Sequence, residues 1–395
     1  TPMLAYQDSH HGHLASLVES NPWKGGVETE RFTSGLNSKV NCPQNVIYLL
    51  TVDGEPFCAR FADVSADPYN EYGRPASSSP TLETLALDEE TAERGMEMIQ
   101  RDARKRSVYR GQSVALVEQS ESAAGFDVEF QDAPPVERSE LVLPQDTLDV
   151  VERNVLGFLK HAETLENSGR STRHGVLFHG PPGVGKTLAL RYLVSACKEQ
   201  TIISLSGRNL RFVRESMTLA RLLAPSIVVL EDVDLIAEER TTNSDAGMLH
   251  ALLDEMDGMG RKTPCIFLLT TNRPEILEPA LASRPGRVDQ AIFFPLPDAK
   301  CRGRLIELYG KGLELSQIRL DDWVAKTEGV SPAFISEWLR KTALMAAERG
   351  ETKIPLPITE QDMDAAMREL VFFGGVLTQT LLAYRGESKA APDAS

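Results

Sequence analysis

Gly180-Pro181-Pro182-Gly183-Val184-Gly185-Lys186-Thr187 follows the apolar run Val176, Leu177, Phe178 and leads into Leu188, Ala189 and Leu190. In such a run the glycines let successive backbone N–H groups converge on a polyphosphate. The lysine reaches the β and γ phosphates, and the threonine hydroxyl ligates Mg²⁺. A chance Gly/Pro turn is the competing reading, and the strand-like run before and helix-like run after weigh against it.

A second strand-like run, Ile227 to Leu230, ends in Glu231-Asp232 and then Val233-Asp234. Two carboxylates at a strand end beside a phosphate loop suit a division of labour. One can hold Mg²⁺ through water while its neighbour polarises the attacking water. Acidic residues also follow strands as helix caps, so the pair gains weight only from the loop. A third run ends in Thr270, Thr271, Asn272, which places a neutral amide where it could orient a water against the γ-phosphate; a turn asparagine is the alternative. Arg284 and Arg287 flank a Pro-Gly turn and could stabilise transition-state charge from a neighbouring subunit, or could simply bridge to acidic neighbours.

The elements that must position these groups alternate strand and helix beyond the loop. That pattern favours a parallel sheet with helices on both faces. Strands are expected near residues 201–205, 226–230, 265–270 and 291–294. From about residue 299 the pattern turns helical: Ser331-Pro332 starts a helix that Gly350 can end, and Thr359 with Asp362 reads as a capping box for another. Upstream, Asp53-Gly54 between two apolar runs predicts a hairpin, and Asp88 caps a predicted helix carrying Ala92, Met96, Ile99 and Ala103 on one face. Short strands are expected at 113–117 and 126–130, and residues 131–145 read as a Pro-containing linker. The expected organisation is therefore a small α/β N-terminal domain over residues 1–135 for client or partner recognition, an α/β ATPase subdomain over 136–298, a helical lid over 299–372, and a C-terminal extension over 373–395 whose tail after Arg385 is expected to be disordered.

Composition narrows the function classes. The chain has 395 residues with a net charge of −15, which argues against gripping phosphate backbones as its main business. Arg101, Arg104, Lys105, Arg106 and Arg110 form a local basic run, read first as a solvated helix end. Five widely spaced cysteines without a Cys-x-x-Cys suggest neither a disulfide framework nor a zinc module, and the expected setting is reducing and cytoplasmic. His10, His11 and His13 read as a solvated terminus. No apolar run is long enough for a membrane span.

Taken together, residues 180–187, 230–234, 248–258, 270–272 and 279–289, continued through Pro295-Leu296-Pro297-Asp298 and 329–333, resemble the AAA family of ATPases. The resemblance implies a P-loop NTPase sheet with a C-terminal helical lid. It implies ATP and Mg²⁺ as ligands and Lys186 and Thr187 as the phosphate and metal residues. By the same resemblance Asn272 is the sensor and Arg284 and Arg287 are arginine fingers. It also implies a homo-oligomeric ring, usually a hexamer, that acts on a protein client. Three departures stand out. The acidic pair is Glu231 then Asp232 where Asp then Glu is usual; successive strand side chains point to opposite sides, so the resemblance implies Glu231, one methylene longer, on the Mg²⁺ side and Asp232, one shorter, on the water side. The segment 207–225 is short and offers Phe212, among Arg208, Arg211 and Arg214, as its only aromatic; helix packing is the other reading of that ring. Pro332 stands where Gly is usual. The first two departures are similar to the mitochondrial AAA chaperone of the respiratory bc1 complex, without its membrane segment. An alternative within reach of the same residues is a nucleotide-gated scaffold that threads nothing, and a nucleic-acid remodeller is the less favoured third.

Overall fold

The computed structural model describes residues 29–35, 38–43, 47–62, 81–118, 126–235, 254–256, 263–277 and 288–373. It divides into two compact units, residues 1–110 and 111–395.

In the first unit, β1 (Thr29–Gly35) and β2 (Ser38–Pro43) form an antiparallel pair, while β3 (Ile47–Val52), β4 (Glu55–Ala62) and β5 (Thr81–Ala86) form a three-stranded antiparallel sheet. Asp53 and Gly54 both adopt positive φ between β3 and β4, the turn expected of that dipeptide. Helix α1 (Glu89–Arg106) begins where Asp88 accepts the Thr91 N–H at 2.8 Å. Phe57, Ala59 and Val52 form the buried centre of this unit, with Met98 and Ile99 of the helix packed against them. The helix lies so close that a Cβ on Gly95 would sit 2.6 Å from the Phe57 ring.

The second unit is built on a seven-stranded sheet. Its strands in chain order are β6 (Ser113–Glu118), β7 (Phe126–Phe130), β8 (Arg173–His179), β9 (Thr201–Ser206), β10 (Ser226–Glu231), β11 (Cys265–Thr271) and β12 (Gln290–Phe293). Their spatial order is β12-β8-β11-β10-β9-β6-β7, parallel throughout except for the antiparallel β6–β7 pair. Central strands β10 and β11 are buried along almost their whole length, as doubly covered parallel strands must be.

The strands expected at 113–117 and 126–130 form, but not in a domain ending at residue 135. β6 pairs in parallel with β9 and so extends the ATPase sheet. The physical reason is that β9 would otherwise present a bare row of N–H and C=O groups, and a short apolar strand carries nothing in its own pattern that says which edge it will join.

Helix α2 (Gln145–Glu152) precedes β8, and α3 (Lys186–Ala196) follows the phosphate loop. Helix α4 (Val213–Leu222) connects β9 to β10. Leu148, Val151, Val155, Leu190 and Leu193 pack with Val176, Phe178 and Val229 into one apolar core. The lid consists of α5 (Ala299–Tyr309), α6 (Leu320–Lys326), α7 (Pro332–Glu348) and α8 (Glu360–Arg368). It has its own core around Trp323 and Trp338, whose ring centroids are 4.9 Å apart. Both buried indoles find acceptors for their N–H groups: Trp323 donates to Glu360 Oε2 at 2.7 Å and Trp338 to the Met363 carbonyl at 3.0 Å. The expected starts of α7 and α8 form, with Ser331 accepting from the Phe334 N–H and a reciprocal capping box between Thr359 and Asp362.

Among the described residues no helix is long and apolar enough to cross a membrane. His10, His11, His13, the 65–80 loop, most of the 248–258 helix and the chain beyond residue 373 lie outside the described residues, as do Arg284 and Arg287.

Candidate nucleotide site

β8 is the strand at which the sheet order reverses: after β8 the chain crosses to β9, and it later returns to β12 on the other side of β8. Ligand crevices in open parallel sheets form at the carboxyl ends of strands at that point. The phosphate loop lies there. Gly180 has φ 145°, and a Cβ on it would sit 2.4 Å from the Phe294 carbonyl oxygen beside β12. Gly183 has φ 73°, and its Cβ would meet the Ala333 Cβ at 2.8 Å. Only glycine satisfies both the backbone conformation and the close approach.

A cavity of about 460 Å³ opens beside the loop. Residues Pro182 to Leu188 line it, together with Asp232, Asn272, Leu141, Tyr309, Ala333 and Ser336. The volume falls in the range of small-molecule sites. The lining joins the loop, both neighbouring strand ends, the segment before α2 and two lid helices, so the cavity closes only when the lid and the sheet are assembled.

The polar centre of this cavity is a relay. Lys186 Nζ donates to the carbonyls of Gly180 and Pro181 and to Asn272 Oδ1, each at 2.8 Å. All three ammonium donors are thus in use. Asn272 Nδ2 in turn donates to Asp232 Oδ1 at 3.2 Å. Lys186 is only 6% exposed, and burial pulls its pKa down to about 8, with Asp232 and Asp234 pulling it back up. Burial raises the Asp232 pKa, the like charge of Asp234 raises it further, and Lys186 and Asn272 oppose the shift. Asp232 has φ 52°, a left-handed conformation that aspartate tolerates better than most residues.

The two strand ends are fastened to each other. The Asp232 N–H donates to Thr270 Oγ1 at 3.0 Å and the Val233 N–H to the Thr270 carbonyl at 3.0 Å. Asp234 accepts from Thr271 Oγ1 at 2.8 Å and from the Asn272 N–H at 3.4 Å.

The structure therefore brings Lys186, Thr187, Asp232 and Asn272 to one cavity. It does not bring Glu231 there: that side chain lines a different cleft of about 780 Å³, with Ser204, Ser206 and Arg191. Successive residues at a strand end face opposite ways, and the left-handed turn at Asp232 directs that residue into the loop cavity. For Mg²⁺ the donor set fits: Thr187 offers a hydroxyl and Asp232 a carboxylate, the hard oxygen donors the ion takes alongside substrate phosphates.

The lid meets the loop through its backbone. Ala333 N–H donates to the Gly183 carbonyl at 3.2 Å, Phe334 N–H to Ser331 Oγ at 3.2 Å, and Ile335 N–H to the Ser331 carbonyl at 3.2 Å. Pro332 has no N–H to give, so the first turn of α7 has its donors committed. The sequence flagged Pro332 as a departure but carried no sign of this contact.

Phe212 is resolved as a packing residue. It is 7% exposed, closes the short helix Gly207–Phe212, and lies 5.6 Å, centroid to centroid, from Phe126 of β7. Arg211 stacks over the Phe212 ring at 4.7 Å and pairs with Glu118 of β6 at 2.7 Å.

Comparison with known proteins agrees with the geometry. Residues 176–296 match the family model described as ATPase family associated with various cellular activities (AAA). The chain is 31% identical over 254 residues to the ATP-dependent zinc metalloprotease FtsH 2 of Sphaerobacter thermophilus, covering 59% of this chain and 38% of that one. It is 34% identical over 231 residues to the human ATPase family gene 2 protein homolog A, covering 55% and 26%. It is 31% identical over 230 residues to the FtsH of Thermus thermophilus, covering 54% and 37%. The chain thus matches well under half the length of each.

Proposed function

The chain carries an AAA-family ATPase domain, and from that premise we propose that it hydrolyses ATP with Mg²⁺ to remodel or move a protein client as a homo-oligomeric, hexameric ring. The observation that carries this reading is the Lys186–Asn272–Asp232 relay at the mouth of the phosphate loop. Lys186 releases Asn272 to take a phosphate oxygen. The freed amide and the Asp232 carboxylate line the same cavity, where they would orient and deprotonate the attacking water. Thr187 would hold Mg²⁺, which would supply charge neutralisation at the phosphates. A role for Glu231 at the metal requires its side chain to turn out of the cleft it lines. Arg284 and Arg287 would complete the site from the next subunit. The acidic charge and the reducing cysteine pattern fit a cytoplasmic setting, and residues 1–110 are the candidate client-binding unit.

A second reading, a nucleotide-gated scaffold without threading, is favoured by one observation: the only aromatic near the expected gripping segment is packed against Phe126. The deciding experiment uses Asp232→Asn with ATP. A ring by native mass spectrometry that retains ATP and a bound protein supports the motor; a ring that forms and releases partners without hydrolysis supports the scaffold. Absence of any nucleotide-dependent assembly rejects both.

A further inference from the structure

We propose that Asp234 is a positioning residue for hydrolysis: its carboxylate holds the end of β11 so that Asn272 can engage Lys186 and Asp232 at once. The proposal rests on the ATPase reading above. Asp234 is 6% exposed and does not line the loop cavity, whereas Asp232 and Asn272 do. A carboxylate so buried persists only where donors offset its desolvation. Here the donors are Thr271 Oγ1 at 2.8 Å and the Asn272 N–H at 3.4 Å, both on Asp234 Oδ1. They belong to the residue that senses the phosphate and to the residue before it.

The geometry makes this more than a pin between strands. Thr270 already fastens β11 to the residues after β10, through the Asp232 and Val233 N–H groups. The Asp234 bonds act one step further along, on the backbone of Asn272 itself. With Asn272 Oδ1 on Lys186 and Nδ2 on Asp232, the side-chain amide has both ends committed, and its aim is set by where the backbone is held. Catalytic groups tolerate misplacement of only about 0.5 Å, so losing the backbone anchor should cost turnover before it costs binding. Thr271→Val removes one donor from the outside and should act in the same direction.

The test compares Asp234→Ala, Asp234→Asn and Thr271→Val in the full chain. Asparagine keeps an acceptor oxygen for both donors. In nucleotide-free protein, amide hydrogen exchange at Asn272 should rise about tenfold in Asp234→Ala and stay near wild type in Asp234→Asn. For ATP, kcat should fall about tenfold or more in Asp234→Ala, with nucleotide affinity held within about threefold, and Asp234→Asn should recover most of the loss. If Asp234→Ala does not fold, Thr271→Val carries the same comparison of kcat against affinity. Unchanged exchange at Asn272, an Asp234→Asn as impaired as Asp234→Ala, or a loss explained wholly by weaker binding would overturn the proposal. Wild-type protein that hydrolyses no ATP would sink the ATPase reading instead, while the exchange measurement would still judge Asp234.

Discussion

Lys186 Nζ and Asn272 Oδ1 lie 2.8 Å apart, joining the residue expected to grip phosphate to the residue expected to sense it. The bond means that the two roles cannot be exercised independently. On the proposed reading, an arriving phosphate would compete for Lys186, and its success would be registered as the release of Asn272.

Nucleotide affinity should fall as pH rises through about 8, because burial sets the Lys186 pKa there and only the ammonium form binds phosphate. The stability term runs the other way. The folded-state value lies below the ordinary 10.5, so the unfolded chain binds more protons between about pH 8 and 10.5, and folding stability gains across that window. Binding titrations from pH 7 to 9.5 should show about a tenfold weakening by one unit above the pKa, and Lys186→Arg should flatten whatever affinity remains. A flat wild-type profile contradicts the buried-lysine account.

Asn272→Ala should lower kcat about a hundredfold while leaving nucleotide affinity within about threefold, since the amide serves the reaction and Lys186 is merely freed. Steady-state hydrolysis and equilibrium binding on the same preparation separate the two. A loss confined to affinity would move Asn272 from the reaction to the binding step.

Phe212→Ala should cost about 3–5 kcal/mol of stability, read as a shift of the urea midpoint, because the ring is buried against Phe126. Glu118→Ala, which breaks the half-exposed pair with Arg211, should stay within about 1 kcal/mol. If Phe212→Ala leaves stability intact but slows client processing, the ring is a gripping residue after all.

Gly183→Ala should destabilise the protein by more than about 1 kcal/mol and weaken nucleotide binding, since it meets both a φ of 73° and the Ala333 methyl at 2.8 Å. Gly303→Ala, in a helix where the new Cβ finds only an ordinary 3.7 Å contact, should instead gain about 0.5–1 kcal/mol. Thermal melts of the two variants should move in opposite directions.

Much of the fold was legible because the signals are local. Asp88, Ser331-Pro332, Thr359 with Asp362, and Asp53-Gly54 each fix an element end through the backbone groups beside them, and each element forms as expected. The phosphate loop was legible for the same reason. What escaped the sequence depends on partners distant in the chain: β6 choosing the edge of β9 and Phe212 choosing Phe126. That Glu231 and Asp232 face opposite ways follows from strand alternation, but which of them enters the loop cavity is set by the left-handed turn at Asp232, of which the residue types give no warning. Asp234 was visible as a third carboxylate, yet its role needed the register of β11 against β10.

The Ala333 to Gly183 bond has a mechanical consequence. With its opening donors already spent, α7 offers an entering phosphate nothing to hold, so any influence of nucleotide on this helix would pass through the loop that it rests on. Its 17 residues make a rod about 25 Å long, pivoted at the glycine. Because α7 shares one core with the other lid helices, a shift of the phosphate loop felt at Gly183 would be passed to the lid as a whole, with the helix as its lever.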